Sequence, residues 1–143
     1  MPDKRNKRLK NKKGAGGKKI LVPPTKDTLS SDLFCPIFSF EYLQKDYCVR
    51  DCQAAEKADF AVQLRQLSEL TWRELRAAPK HGLGYEKISQ SAIQPAIPPH
   101  ITKDVNLIAF RFSGAKPMVG YRDGRLFYVI WLDRAFSLYN HGS

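Results

Sequence analysis

Apolar and polar positions change their spacing along this chain, and each change predicts an element. Pro36-Ile37-Phe38-Ser39-Phe40-Glu41-Tyr42-Leu43 concentrates aromatic and β-branched residues, the composition of a strand. From about Asp51 the period lengthens. Phe60, Leu64 and Leu67 fall at i, i+4 and i+7 with Ala61 beside them, which describes one face of a helix expected over residues 52–69. Thr71-Trp72-Arg73-Glu74 then reads as a capping box: the Thr hydroxyl accepts from the N3 amide while the Glu reaches back. Leu70 and Leu75 hold the positions of a hydrophobic staple around it. This second, short helix should end at Pro79, because the residue before a proline avoids the helical region.

The β pattern is strongest after residue 106. Ile108, Phe110 and Phe112 alternate with Leu107, Ala109 and Arg111 until Ser113-Gly114 breaks the run. A short strand is expected over 118–121, followed by Asp123-Gly124, a pair suited to a tight hairpin turn. Leu126-Phe127-Tyr128-Val129-Ile130-Trp131-Leu132 is apolar at successive positions, as in a central strand covered on both sides. Asp133-Arg134 should turn the chain into a last strand over 136–139, completing an antiparallel meander. Residues 80–104, with Gly82, Gly84, Pro95, Pro98 and Pro99, read as an irregular connection with room for one turn of helix over 87–93. Its length exceeds that of an ordinary loop. The expected fold is α+β: an antiparallel four- to five-stranded sheet with two helices packed on one face.

Charge adds a second feature. Lys4, Arg5, Lys7, Arg8, Lys10, Lys12, Lys13, Lys18 and Lys19 face only Asp3 within residues 1–19, so this segment holds +8 of the formal +10 and the rest of the chain only +2. It has almost nothing to bury, and Gly14, Gly16 and Gly17 loosen it further. It is therefore expected to be a disordered basic arm, followed by a Pro/Ser/Thr/Asp linker. Residues 1–33 form arm and linker in this reading, and residues 34–143 one α+β domain. A Lys/Arg arm is attracted to phosphates whatever their sequence, which points to nucleic acid. A solubilising tail or an import signal is the plainer alternative.

Several classes are disfavoured. No stretch approaches the roughly 18 apolar residues needed to span a bilayer. Ile20-Leu21-Val22 stops at Pro23-Pro24, too soon for a signal peptide, so no membrane partner and a cytoplasmic location are expected. Cys35, Cys48 and Cys52 make no even disulfide framework and read as reduced thiols. Cys48-x3-Cys52 lacks a second close Cys/His pair, and His81 and His100 stand apart, so neither zinc nor a Cys/His nucleophile is expected. Gly82-x-Gly84 is only a fragment of a phosphate-binding loop. No cofactor is expected.

The C-terminal strands gather Arg111, Lys116, Tyr121, Arg122, Arg125, Tyr139 and His141. Cleaving RNA requires cations for the charged phosphorane, a base for the 2′-hydroxyl and an acid for the leaving oxygen. Here Tyr139 and His141 are the acid/base candidates, and Lys116, Arg122 and Arg125 the charge stabilisers. Arg111 and Tyr121 join the basic arm as nucleic-acid contacts, with Tyr121 or Tyr139 able to stack on an unpaired base. The structural alternative is that arginines beside a turn are solvated and strand tyrosines pack.

The order helix, short helix, then a basic sheet ending in Asp133-x5-Tyr139 resembles the RelE/ParE-like toxin superfamily, over roughly residues 36–142. The resemblance implies helices packed on a sheet of this size and a basic site on the last strands. It also implies cleavage of messenger RNA, often on the ribosome, and an antitoxin partner. The arginine that RelE-like enzymes often carry after the sheet's first turn would fall near Lys116-Pro117-Met118, where only Lys116 is charged. Tyr139 and His141 fall near the family's C-terminal aromatic or histidine position. The stretch from Phe110 through Tyr139-Asn140-His141-Gly142 also resembles small bacterial and phage-associated proteins, which implies no activity.

The expectation is an RNA-binding protein with a RelE-like toxin fold, acting as an mRNA endoribonuclease of a toxin–antitoxin pair. The alternative is a non-catalytic nucleic-acid- or ribosome-binding protein working through its arm. A third reading is a protein-interaction module such as a phage-encoded inhibitor. Deleting residues 1–19 should weaken RNA affinity and flatten its dependence on salt, measured by fluorescence anisotropy across a salt series. An unchanged salt slope would remove the arm from the interface.

Overall fold

The computed structural model describes residues 29–141, so the basic arm and most of the linker lie outside the described residues. Seven elements follow in order: β1 (Ile37–Ser39), α1 (Ala54–Leu67), α2 (Trp72–Ala77), β2 (Glu86–Ile88), β3 (Leu107–Ser113), β4 (Lys116–Asp123) and β5 (Leu126–Leu132). The strands form one five-stranded sheet in the order β1-β5-β4-β3-β2. No helix among the described residues is long and apolar enough to cross a membrane.

The helices start as their caps dictate. Thr71 Oγ1 accepts from Glu74 N at 3.2 Å, and Thr71 N donates to Glu74 Oε1 at 2.9 Å. The same reach-back occurs at the start of α1, where Gln53 N donates to Glu56 Oε1 at 2.7 Å. The expected turn within 87–93 is a 3-10 turn at Gln90–Ala92. Strand β2 was hidden in that connection because three residues, Glu-Lys-Ile, carry too little alternation to register.

Two expectations are corrected. The sheet is mixed: β1 runs parallel to β5, while every other pair is antiparallel. Through α1 and α2 the chain crosses from the β1 edge to the far edge, where β2 enters opposite in direction to β1. Three further reversals bring β5 back beside β1 in the same direction. The second correction concerns residues 136–139, which form no strand. Segment 44–47 continues along the edge of β5 that this strand would have used, with Gln44 N on Ile130 O at 2.9 Å and Leu132 N on Tyr47 O at 2.8 Å. The Ser137 and Leu138 amides instead donate to the Asp133 carboxylate.

Both faces of the sheet are buried. On one, Phe60, Leu67, Trp72 and Leu75 of the helices pack on Ile108, Phe110, Met118 and Phe127. On the other, Ile93 and Ile101 of the irregular connection and Leu138 of the tail cover Leu107, Val119, Ile130 and Trp131. Gln90 pins that connection by donating to the carbonyls of Thr102 (2.9 Å) and Val105 (2.7 Å). Gln94 N joins it to the tail through Leu138 O at 2.8 Å. The doubly covered β5 is thus the reason its sequence is apolar throughout.

Hairpin β4–β5 turns on Gly124-Arg125, one residue beyond the expected Asp123-Gly124 pair: Asp123 still pairs with Leu126, and Gly124, at φ +64°, takes the first position of the two-residue turn. Its pairing skips one residue of β5 between Val119 and Gly120, a bulge. At that bulge a Cβ on Gly120 would fall 1.8 Å from the Tyr128 carbonyl oxygen. Gly120→Ala should therefore cost about 2 kcal/mol or more, read as a lower urea midpoint; an unchanged midpoint would mean that the strands part without penalty.

Candidate functional site

Where β5 ends, the chain is turned by one carboxylate. Asp133 N donates to Pro117 O at 2.9 Å, which carries the β4–β5 pairing one residue further. Its side chain is fully buried. Oδ1 accepts from Ser137 N at 2.8 Å, and Oδ2 from Leu138 N at 3.0 Å. Phe136, at φ +56°, lies in the bend between Asp133 and these two amides. The same Oδ2 meets His141 Nε2 at 3.1 Å.

Two rings hold the His141 imidazole. Tyr139 lies against it at 4.0 Å between centroids, tilted 31°, and Phe136 meets it edge-on at 5.2 Å. A carboxylate accepts, so Nε2 carries the hydrogen and Nδ1 is left as the basic nitrogen. Burial pushes the Tyr139 phenol up to about 12, so it keeps its proton at neutral pH. Tyr139 therefore supports the imidazole and is poorly suited to proton transfer.

Tyr139 and His141 form one wall of a cleft of about 260 Å³ whose other side is Lys80, His81, Glu86 and Arg111. Arg111 Nη2 stands 3.2 Å from His81 Nδ1. A guanidinium only donates, so His81 Nδ1 accepts and its hydrogen sits on Nε2. Lys80 Nζ lies 3.3 Å from Glu86, which leaves Arg111 as the cation of the cleft without a carboxylate partner among the described residues. The cleft lining thus brings two imidazoles, His81 and His141, and the Arg111 guanidinium to one space.

Of the residues singled out in the sequence, the fold brings together Arg111, Tyr139 and His141. Lys116 faces α1, with Nζ 2.7 Å from Glu56 Oε2. Arg122, near the other end of β4, is 2.7 Å from Asp32 and lies over the Trp72 ring at 4.4 Å. With Arg76 it holds the Asp32 carboxyl below the usual range. Arg125 donates to Cys35 O at 3.0 Å. Tyr121 stacks on Tyr128 at 5.0 Å. Lys4, Arg5, Lys7, Arg8, Lys10, Lys12, Lys13, Lys18 and Lys19 lie outside the described residues.

The sequence reading missed Lys80, His81 and the role of Asp133. His81 and Arg111 are thirty residues apart and meet only because β2 pairs with β3. For Asp133 a signal existed in its spacing to His141 across one short turn. Among the described residues no three His, Cys, Asp or Glu side chains gather as a metal-holding group. Cys52 is buried, and burial raises its thiol. The chain finds no match among protein-family models, curated proteins or solved structures.

Behind the cleft, Glu56 is buried and ties three elements together. It accepts from Lys116 Nζ (2.7 Å), Gln53 N (2.7 Å) and Arg134 Nε (2.6 Å). These bonds, that from Lys116 foremost, hold its carboxyl at about 2 instead of 4.5. Its contribution to stability is complete above pH 4.5 and is lost as pH falls toward 2. Glu56→Gln should cost about 3 kcal/mol at neutral pH, and its deficit against the wild type should shrink as the solution is acidified through that window. Urea midpoints at several pH values check this; a deficit independent of pH would contradict it.

Proposed function

We propose that the cleft between the C-terminal tail and β2–β3 binds single-stranded RNA and cleaves it through its own 2′-hydroxyl. The observation that carries this reading is the convergence of an Asp133-oriented His141, the His81–Arg111 pair and Lys80 on one cleft. His141 Nδ1 takes the proton of the 2′-hydroxyl, and the 2′-oxygen attacks phosphorus. The bond from phosphorus to the 5′-oxygen breaks, and the proton held by His141 passes to that oxygen. The products are a 2′,3′-cyclic phosphate and a 5′-hydroxyl. Arg111 and the His81 N–H donate to the non-bridging oxygens, where negative charge grows. Asp133 keeps the imidazole in the tautomer and orientation the reaction needs, the role of the carboxylate in a Ser-His-Asp triad.

The RelE/ParE-like reading enters this proposal from the sequence resemblance alone. In that reading the target is messenger RNA, free or on the ribosome, and an antitoxin protein is the partner. The second reading, a non-catalytic binder, draws on a different observation: residues 1–19 hold +8 of the +10 charge.

A synthetic RNA incubated with the full chain should yield 2′,3′-cyclic phosphate ends, and a 2′-deoxy nucleotide at the cleaved position should block the cut. His141→Ala should slow cleavage by about 10²–10⁴-fold while the circular dichroism spectrum stays unchanged. Intact RNA after incubation with the wild type would leave the arm-driven binder as the function.

A further inference from the structure

A second, larger cleft adjoins the first, and the pair His81 and Arg111 forms the wall between them. It measures about 530 Å³, within the range of roughly 300–1,000 Å³ typical of small-molecule sites. Its other sides are α1 and the end of β3. Asp59, Gln63 and Gln66 lie on successive turns of α1, so they share one face, beside that of the core-facing Phe60 and Leu67. Ser113 Oγ donates to Asp59 Oδ2 at 2.7 Å and fixes the carboxylate at the mouth of the cleft. Among the described residues no partner engages the Gln63 or Gln66 amide. Val62 beside them is 58% exposed, more than any other large apolar residue of the described chain.

Two side-chain amides, a carboxylate with one oxygen unengaged, and an apolar lip are the parts that read a base. A primary amide meets adenine in register, accepting from the N6 amino group and donating to N7. A carboxylate accepts from an exocyclic amino group, which uracil lacks. An exposed aliphatic side chain gives the ring a face to lie on. We infer that this cleft is a base-specificity subsite for adenine in the nucleotide next to the phosphate held at Arg111. The assignment rests on the RNA reading of the adjoining cleft. It adds a sequence preference that the reading itself does not require.

The test uses the full-length protein and fluorescein-labelled tetranucleotides of A, C, G or U with 2′-O-methyl groups throughout. These have no free 2′-hydroxyl to react, so affinity is measured apart from cleavage. The oligo-A probe should bind at least about fivefold tighter than oligo-U, the low end for one bidentate base contact. Gln63→Ala/Gln66→Ala, a change of half-buried Gln63 and exposed Gln66 that should leave the circular dichroism spectrum unaltered, should remove that margin and leave oligo-U affinity unchanged. Equal affinity for A and U would overturn the subsite and leave the cleavage reading intact. So would an adenine preference that survives the double change, or a preference for C or G. If no probe binds, the subsite falls; unmodified RNA then decides the cleavage reading separately, by whether it is cut.

Discussion

The buried carboxylate of Asp133 decides where the chain goes after β5. It collects two backbone amides from the tail and a third bond from His141, and with them it replaces the strand that residues 136–139 would otherwise make. A carboxylate taken wholly out of water needs several donors to offset its desolvation, and here each donor comes from the segment being turned. The turn lays Leu138 and Tyr139 on the second face of the sheet. One group therefore closes the hydrophobic layer and presents the imidazole to the cleft. Structure and candidate chemistry share the same atoms.

The rest of the fold works around a sheet that is dry on both sides. Helices supply one cover, as their i, i+4 apolar spacing implies. The other cover is built from chain with almost no regular structure, whose polar backbone must then be satisfied one group at a time. Gln90 does so for two carbonyls, and Gln94 N and Leu138 O do so for each other. The long connection between β2 and β3 is the missing layer of the domain, which accounts for its unusual length.

Features that depend on neighbouring residues were legible beforehand. The Thr71–Glu74 box, the stop at Pro79, the turn at Gly124 and the doubly buried β5 all follow from local spacing and steric limits. What escaped depends on distant partners. Nothing within Ile37–Ser39 says that it will lie parallel to β5, because direction there is set by the number of reversals in between. Lys116, Arg122 and Arg125 look equally available in the sequence. Each meets an oxygen far away in the chain, on Glu56, Asp32 and Cys35 respectively. Arg111 differs in having His81 as its partner, a contact made only after β2 has docked.

The pairing of Ile37 with Leu126 has a consequence in time as well as in space. Among the described residues β1 pairs only with β5, which follows every other strand of the sheet in the chain. Until β5 has left the exit tunnel, β1 has no strand among the described residues to pair with. The tail that carries His141 follows β5 directly. The cleft therefore cannot form before β5 and the segment that carries His141 have been synthesised.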